Sequence, residues 1–154
     1  MSRTLWKTSL AVTGAAALGS VSAGPGSTWY ERLDKPSWQP PPAAFPLVWT
    51  PLYGLIAYAG ARALDRAGDG AERGRVRRAL AADLVLNAAW TPLFFAARKP
   101  RAALAEIAVL NAANAVLVRR AWRADRAAGA LLLPYAGWTA FATALNAAIV
   151  RRNP

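Results

Sequence analysis

Long stretches without any charged residue constrain this chain more than any other feature. Residues 8–30, 36–61 and 127–150 contain no Asp, Glu, Lys or Arg. A helix rises about 1.5 Å per residue, so about 20 mostly apolar residues cross the roughly 30 Å hydrocarbon core of a bilayer. Two more stretches, 79–97 and 102–118, each contain a single acid near their start. The pattern predicts an integral membrane protein.

These stretches predict an all-α membrane protein, a five-transmembrane-helix bundle. The approximate spans are 8–25, 43–61, 79–97, 102–118 and 128–150, within a single domain covering residues 1–154. Ala-rich and Leu-rich runs favour helix, and the sequence lacks the period-two alternation of a membrane barrel. One alternative concerns the first span. Arg3, Lys7 and the small residues Val21-Ser22-Ala23 also fit a cleavable signal peptide, whose removal would leave four helices.

The connections between the spans differ in length and charge. The first, residues 24–44, carries Gly24-Pro25-Gly26 and a run of three prolines, and it is too long for a simple turn. The second, residues 62–78, is rich in Arg and predicts a solvated loop or a short interfacial helix. The N-terminus, the second and the fourth connections carry more Lys and Arg than the other hydrophilic segments, which places the N-terminus in the cytoplasm by the positive-inside rule.

Residue types that the sequence lacks exclude several classes of site. There is no Cys and no His, and the one Met is the initiator. A Cys/His zinc site, a disulfide framework, a thiol nucleophile and a serine-histidine hydrolase are therefore excluded, and Tyr is the only usual protein ligand left for an iron porphyrin. No nucleophile and base can be paired within the spans, so we predict neither a catalytic residue nor a metal ligand.

The net charge of +11 fits contact with anionic lipid better than nucleic acid binding. No basic groove with interleaved aromatic residues accompanies the charge, so no nucleic acid partner is predicted. Trp6 and Trp122 lie beside basic residues at the ends of predicted spans, which is typical of an interfacial aromatic belt.

Aromatic and amide residues recur on one face of three predicted helices. At 3.6 residues per turn, side chains three, four or seven residues apart share a face. The three faces consist of Phe45, Trp49 and Tyr53; of Asp83, Asn87, Trp90 and Phe94; and of Tyr135, Trp138, Ala142 and Asn146. Such faces either pack together as a core or line a cavity for a flat apolar ligand, where each stacking contact adds about 0.5 to 1.5 kcal/mol.

The remaining polar residues inside the spans have simpler explanations. Asp83 and Glu106 lie within a turn or two of the starts of their spans, so we expect their carboxylates to reach the membrane surface by snorkelling or through a shift of the span boundary. Antiparallel helices would place the two acids at opposite membrane faces, which disfavours a proton-relay pair. Asn111 and Asn114 are expected to form hydrogen bonds between helices.

Several motifs in the sequence resemble those of the TspO/MBR family, the tryptophan-rich sensory protein and translocator protein family. Trp29-Tyr30, the segment 35–41 (KPSWQPP) and the Val48-Trp49-Thr50 region resemble its first loop and second helix. The segment 86–95 (LNAAWTPLFF) resembles its third helix. Residues of its fifth helix are matched by Leu132-Leu133-Pro134-Tyr135, Trp138, Phe141-Ala142, Leu145-Asn146 and Asn153.

The resemblance implies a five-helix bundle that binds porphyrins and other tetrapyrroles, isoquinoline-type drugs and, in some members, cholesterol. It implies that the first helix is retained, and that the first loop, with Trp29, Tyr30, Trp38 and Pro41, folds over the ligand cavity as a lid. The cholesterol motif is incomplete, because Tyr135 has no Lys or Arg in the following five positions. Sterol recognition through that motif is therefore not expected.

The function that the resemblance and the residues together predict is a non-enzymatic membrane sensor or receptor for tetrapyrroles. Protoporphyrin IX is the expected ligand, with no obligatory cofactor, and Trp49 and Trp138 would stack on it while Asn87 donates to a polar edge. The predicted ligand-binding residues are Tyr30, Trp38, Trp49, Tyr53, Asn87, Trp90, Phe94, Tyr135, Trp138, Ala142 and Asn146.

Two alternatives to a sensor stay open at this point. One is photo-oxidative degradation of a bound porphyrin, for which the indoles of Trp49 and Trp138 are the permissive feature. The other is a carrier for tetrapyrroles or small molecules, although no duplicated half accompanies it. The expected partners are a flat apolar small molecule, the lipid bilayer and a second copy in a homodimer, and the expected location is a bacterial inner membrane.

Overall fold

A computed structural model describes residues 3–22 and 28–154, and within these ranges the regular elements are all helices. Ala23 and Gly24-Pro25-Gly26, and with them the end of the first predicted span, lie outside the described residues. The helices are α1 (Arg3–Ser22), α2 (Thr28–Arg32), α3 (Ala44–Arg66), α4 (Gly70–Thr91), α5 (Pro100–Ala124), α6 (Arg126–Leu131) and α7 (Leu133–Arg152), with a π-helical turn at Pro92–Ala96.

Four helices in the described part of the chain are long and apolar enough to cross a membrane. They are Ala44–Arg66, Gly70–Ala96, Pro100–Ala124 and Arg126–Arg152. The second of these is α4 with the π-helical turn, and the fourth joins α6 to α7. These four correspond in order to the second to fifth spans predicted from the sequence. The first predicted span lies in α1, a helix of 20 residues that is not among the four.

The second connection is much shorter than the expected loop over residues 62–78. Helix α3 continues to Arg66 and α4 begins at Gly70, so only residues 67–69 lie outside helix. The start of α4 is capped from both sides, because Glu72 N donates to Asp69 Oδ1 (2.6 Å) and Gly68 N donates to Glu72 Oε2 (2.9 Å). Arg and Ala are strong helix formers, and so the charged segment extends both helices.

Small and polar residues bring the first helices together. Thr8 Oγ1 of α1 donates to the carbonyl oxygen of Ala57 in α3 (2.9 Å), and Val12 and Ala15 are buried in the same core. Between α3 and α4, a Cβ added at Gly60 would lie 2.9 Å from Leu80 Cδ2. The Leu80 side chain therefore packs against the α3 backbone at a position where glycine leaves room, and small residues at such contacts let helices associate in a bilayer.

Hydrogen bonds also join α5 to α7. Asn111 Nδ2 donates to Thr143 Oγ1 (2.7 Å), and one turn further Asn114 Nδ2 donates to Thr139 Oγ1 (3.2 Å). The prediction that these two amides connect helices is confirmed. Each such bond contributes about 0.6 to 2 kcal/mol within a membrane bundle.

The bundle has two chemically different ends. At one end, which we call the basic end, Arg62 of α3 forms a bidentate ion pair with Asp125 between α5 and α6, with distances of 2.8 and 3.2 Å. At the other, the loop end, Asp34 of the first connection meets Asn153 beyond α7. The second and fourth connections thus share one end and the first connection and C-terminus share the other, as alternating antiparallel helices require.

Candidate ligand-binding site

Helices α3 and α7 bring four predicted ligand-binding residues into one group, the inner aromatic cluster of Trp49, Tyr53, Tyr135 and Trp138. Trp49 stacks on Tyr53 with ring centroids 5.1 Å apart. Its indole lies 6.4 Å from that of Trp138 at 88° and 6.2 Å from the Tyr135 ring. The two faces predicted from the sequence therefore meet, and their rings contact each other directly.

The inner aromatic cluster continues towards the loop end through α7. Trp138 stacks on Phe141 (5.3 Å, 29°) and packs edge-on against Phe45 of α3 (6.0 Å). Trp38 of the first connection lies edge-on to Phe141 at 5.8 Å, while 48% of its surface stays exposed. Trp38 is therefore positioned at the outer edge of the ring series that begins at Trp49.

A second group of rings, the outer aromatic cluster, joins the first connection to the end of α4. Trp29 and Tyr30 of α2 pack edge-on against Phe94 (5.9 and 6.2 Å), and Tyr30 also contacts Phe95 at 5.2 Å. Trp90 stacks on Phe94, whose ring is almost completely buried (5.1 Å, 23°). These five residues place Tyr30, Trp90 and Phe94 together, as part of the predicted site.

A π-helical turn carries Phe94 and Phe95, two adjacent residues that both contact Tyr30 of α2. Ala97 N donates to the carbonyl oxygen of Pro92 (2.9 Å), an i to i+5 bond that widens the helix by one residue. Pro92 has no N–H and disturbs the regular bonding at this point. Arg98 then adopts φ 54°, in the left-handed region, and the helix ends. Periodicity at 3.6 residues per turn could not show this change of register.

A chain of buried hydrogen bonds runs from the inner aromatic cluster into the bundle. Tyr53 OH donates to Asn87 Oδ1 (3.4 Å), Asn87 Nδ2 donates to Tyr135 OH (3.1 Å), and Tyr135 OH donates to Asp83 Oδ2 (3.0 Å). Asp83, Asn87 and Tyr135 are all buried. The amide of Asn87 thus fixes the two phenols that border Trp49.

The expectation that Asp83 reaches the membrane surface is wrong. Helix α4 begins at Gly70, so Asp83 lies more than three turns inside it, and its side chain is fully buried. The hydroxyl of Tyr135 supplies its hydrogen bond, while Oδ1 has no partner in the described part of the chain. Glu106, on α5, does not join this network, and both of its carboxylate oxygens are buried without a hydrogen-bond partner among the described residues.

Two polar atoms in or beside the outer aromatic cluster lack a hydrogen-bond partner in the described part of the chain. The indole Nε1 of Trp90 and Oε1 of Gln39 are buried and make no hydrogen bond among the described residues. Gln39 Nε2 donates to Tyr30 OH (3.2 Å), so the amide is oriented by the same group of rings. Burial raises the pKa of the Tyr30 phenol, and the bond to Gln39 opposes the shift in part, so the phenol stays protonated at neutral pH.

Hydrogen bonds attach the first connection to the residue that follows α7. Asp34 N donates to Asn153 Oδ1 (3.0 Å), and Asn153 Nδ2 donates back to Asp34 O (2.9 Å). Arg152 adds an exposed ion pair to Asp34 at 3.5 Å. Lys35 Nζ donates to the carbonyl oxygens of Tyr30, Glu31 and Leu33 and so closes the end of α2.

Two residues of the predicted α7 face lie apart from the inner aromatic cluster. Asn146 Nδ2 donates to the carbonyl oxygen of Pro100 (3.0 Å), and the side chain is buried where α7 meets the start of α5. Ala142 is half-buried one turn beyond Trp138. Asn146 therefore holds two helices together in this structure, which was not foreseen because the sequence gives no sign of which helix start it meets.

Groups that could hold a metal ion are not found in the described part of the chain. No cluster of three or more His, Cys, Asp or Glu side chains occurs there. The chemistry that this site offers is stacking, apolar contact and a few hydrogen bonds.

Comparison with known proteins identifies the family of this chain. The sequence profile of the TspO/MBR family matches residues 8–152. The chain is 37% identical over 149 residues to the tryptophan-rich sensory protein of Cereibacter sphaeroides, covering 97% of this chain and 91% of that protein. It is 36% identical to the human translocator protein over 131 residues, 84% of this chain and 78% of the relative. The tryptophan-rich protein TspO of Chlorobaculum tepidum is 36% identical over 133 residues, covering 84% and 82%.

Proposed function

The chain belongs to the TspO/MBR family of integral membrane proteins, and from that premise we propose that it is a tetrapyrrole receptor. The ligand binds at the loop end between the inner and outer aromatic clusters, beneath the first connection. The four apolar helices form the membrane part that supports this site.

We assign α1 as a fifth membrane-spanning helix in this proposal. Its 20 residues would extend about 30 Å, the thickness of the hydrocarbon core. Its buried residues Thr8, Val12 and Ala15 face the other helices, while Leu10 and Leu18 are exposed on its outside as a lipid-facing surface requires. A helix that packs through one face and exposes leucine on the other is stable in a bilayer.

The observation that carries the proposal is the meeting of Trp49 and Trp138 from separate helices at 6.4 Å and 88°. Two large flat side chains at right angles offer a planar ligand one face to stack on and one edge to contact. A porphyrin at this place replaces contacts between rings with contacts between ring and macrocycle, each adding about 0.5 to 1.5 kcal/mol beyond area burial.

Polar groups near the rings suit the edge of a tetrapyrrole. Trp90 Nε1 is a buried donor without a partner, so a carboxylate of the ligand could satisfy it. Asn87 is already bonded to Tyr53 and Tyr135, and its function in the proposal is to hold these phenols in place and to offer its second N–H. Because the chain lacks His and Cys, its affinity rests on shape and stacking and does not depend on an iron atom.

The first connection acts as a lid over this site. Trp38 rests on Phe141, and the attachment through Asp34 and Asn153 holds the segment across the bundle. A macrocycle can reach Trp138 only when this cover shifts. Ligand binding then changes the conformation of a segment outside the membrane, which is the signal that a sensor requires.

Titration of the detergent-solubilised protein with metal-free protoporphyrin IX tests the proposal, with binding followed by porphyrin absorbance. We expect saturable binding that weakens by roughly tenfold, about 1.4 kcal/mol, in Trp49→Phe or Trp138→Phe. Trp6→Phe is the matched control, because Trp6 is 56% exposed on α1, away from both clusters. Equal affinity in all four proteins, or a loss of affinity in Trp6→Phe as large as in the other two, contradicts the assignment.

A further inference from the structure

A surface groove between α5 and α7 lies at the basic end, away from the proposed tetrapyrrole site. Its volume is about 450 Å³, and its floor consists of Ala115 and Val118 of α5 with Leu133 and Ala136 of α7. Leu133 is 50% exposed. Because α5 and the α6–α7 segment are membrane-spanning helices, an apolar groove on their outer surface is open to lipid chains.

Two arginines border the same groove at the end of α5. Arg119 and Arg123 are four residues apart, so they share one face of the helix, and both are exposed. Neither guanidinium forms an ion pair with an acid among the described residues. Like charges at this spacing repel each other by about 0.2 to 0.5 kcal/mol, and a bound anion removes that cost.

The acid nearest in sequence to these arginines is already paired. Asp125 is engaged by Arg62 from α3 and by the backbone N–H of Ala128, both at 2.8 Å. The guanidinium of Arg62 holds the pKa of the Asp125 carboxyl below its ordinary value. The only other acid between residues 102 and 154 is Glu106, near the opposite end of α5. The groove therefore combines an apolar floor with an uncompensated pair of positive charges.

Trp122 forms a fixed wall beside the two arginines. A Cβ added at Gly129 would lie 2.6 Å from Trp122 Cε3 and 2.8 Å from Trp122 Cα, so only glycine permits this contact between α5 and α6. The indole is 42% exposed and lines the groove. Tryptophan at this level of a membrane protein prefers the zone of the lipid headgroups.

From these features we propose that the α5/α7 groove is a binding site for one anionic phospholipid. The phosphodiester lies between Arg119 and Arg123, and an acyl chain lies on the floor formed by Ala115, Val118, Leu133 and Ala136. Basic pockets between membrane helices bind anionic headgroups in this way, and arginine forms bidentate bonds to phosphate. This site is separate from the loop end, so it does not depend on the proposed tetrapyrrole receptor.

Native mass spectrometry of the full-length protein with phosphatidylglycerol and phosphatidylcholine of identical chains tests the site. We expect one phosphatidylglycerol to bind with roughly thirtyfold preference, as two arginines near a headgroup predict at about 1 kcal/mol each. The double variant Arg119→Gln/Arg123→Gln should lose that preference. The control Arg75→Gln/Arg78→Gln removes the same charge from exposed positions of α4 and should retain it.

Two further measurements separate the groove from general attraction to a basic protein. Ala115→Phe fills the exposed floor without changing charge and should weaken both lipids. Glycerophosphoglycerol, the headgroup without chains, should compete poorly. The proposal is overturned if the preference survives in Arg119→Gln/Arg123→Gln, if both double variants lose it equally, or if the chain-free headgroup competes as well as the whole lipid.

Discussion

The two ends of the bundle hold their connections in different ways. At the basic end, α5 and α6 are separated by one residue, Asp125, whose carboxylate pairs with Arg62 and caps α6, and Gly129 packs against Trp122. At the loop end, residues 33–43 lie across the bundle, attached through Asn153 and through edge contacts of aromatic rings. The basic end is thus joined by an ion pair and a close backbone contact, whereas the loop end is joined by exposed hydrogen bonds and ring contacts.

This difference suits the two kinds of ligand that we assign to the ends. The proposed lid must open at small cost, and its hydrogen bonds to Asn153 are solvent-exposed. A surface lipid site needs a rigid frame, and at the basic end that frame is made by an ion pair and a close backbone contact. Substitutions at the two ends and between them distinguish a rigid basic end from a movable loop end.

Gly129→Ala should destabilise the basic end strongly. The new Cβ would lie 2.6 to 2.8 Å from Trp122 atoms, one of them in the backbone, so α6 must shift away from α5. Overpacking of this kind costs about 1 to 3 kcal/mol, seen as a lower midpoint of thermal unfolding in detergent. Gly137→Ala is the control, since no atom lies within 4 Å of its added Cβ, and it should be neutral or stabilising. Equal midpoints for both variants would show that the contact between Gly129 and Trp122 does not make the basic end rigid.

Tyr135→Phe should have the next largest effect on the free energy of unfolding, although the substitution keeps the packing of the ring. The change leaves the buried carboxylate of Asp83 without its hydrogen-bond donor and Asn87 without an acceptor. Loss of a buried partner costs about 1 to 3 kcal/mol of unfolding free energy. Tyr53→Phe removes only a 3.4 Å bond and should cost less. If Tyr53→Phe is the more damaging variant, the hydrogen-bond chain is not what positions the rings.

Asp125→Asn should lower the unfolding midpoint in a pH-dependent manner. The pKa of Asp125 is lowered chiefly by its bond to Arg62, so the carboxylate stabilises the fold above the ordinary Asp pKa of 3.8 and this contribution is lost as pH falls through the lowered value. The wild type should therefore exceed the variant in stability at pH 7, and the two should converge below pH 3.8. Asp65→Asn is the control. It affects the exposed ion pair between Asp65 and Arg73, 3.8 Å apart, and should change the unfolding midpoint little. If the difference in stability between wild type and variant persists in strong acid, the ionised pair of Arg62 and Asp125 is not its cause.

Asn153→Ala should have the smallest effect on stability and a clear effect on the loop end. Two hydrogen bonds to the backbone of Asp34 are lost, but both are exposed and water satisfies the freed groups, so the total cost should be about 0.5 kcal/mol. Amide hydrogen exchange in residues 33–43 should accelerate while that of α5 and α7 stays unchanged. Arg152→Gln, which removes only a 3.5 Å exposed ion pair, should leave the exchange as it is. Unchanged exchange in Asn153→Ala would mean that this residue does not hold the lid.

The sequence allowed the membrane character and the meeting of the aromatic faces to be predicted, because both depend on composition and on helical periodicity. Runs without charge located α3 and α7, and runs with a single acid located parts of α4 and α5. Spacings of four and three residues placed Trp49 and Tyr53 on one helical face and Tyr135 and Trp138 on another. The extension of α3 and α4 into the charged segment was missed, since solvated Arg-rich sequence fits a loop as well as a helix.

Other features depend on contacts between distant parts of the chain, which periodicity does not encode. The bond from Tyr135 to Asp83 joins positions 52 apart, and that from Asn146 to Pro100 joins positions 46 apart. The π-helical turn at Pro92–Ala96 changes the helical register, so the position of Phe95 could not be read from a regular spacing. The pairing of Arg62 with Asp125 was not predicted either, because it joins distant parts of the chain, although both residues flank predicted spans.

Hydrogen-deuterium exchange in lipid nanodiscs, with and without saturating protoporphyrin IX, shows whether the first connection covers a bound tetrapyrrole. We expect slower exchange in residues 28–43 when the ligand is bound, because the lid closes over a ligand that contacts Trp138 beneath it. Residues 119–131, at the basic end, should show no change. Protection confined to the basic end, or bound ligand without protection of residues 28–43, would mean that the first connection is not the lid of a tetrapyrrole site.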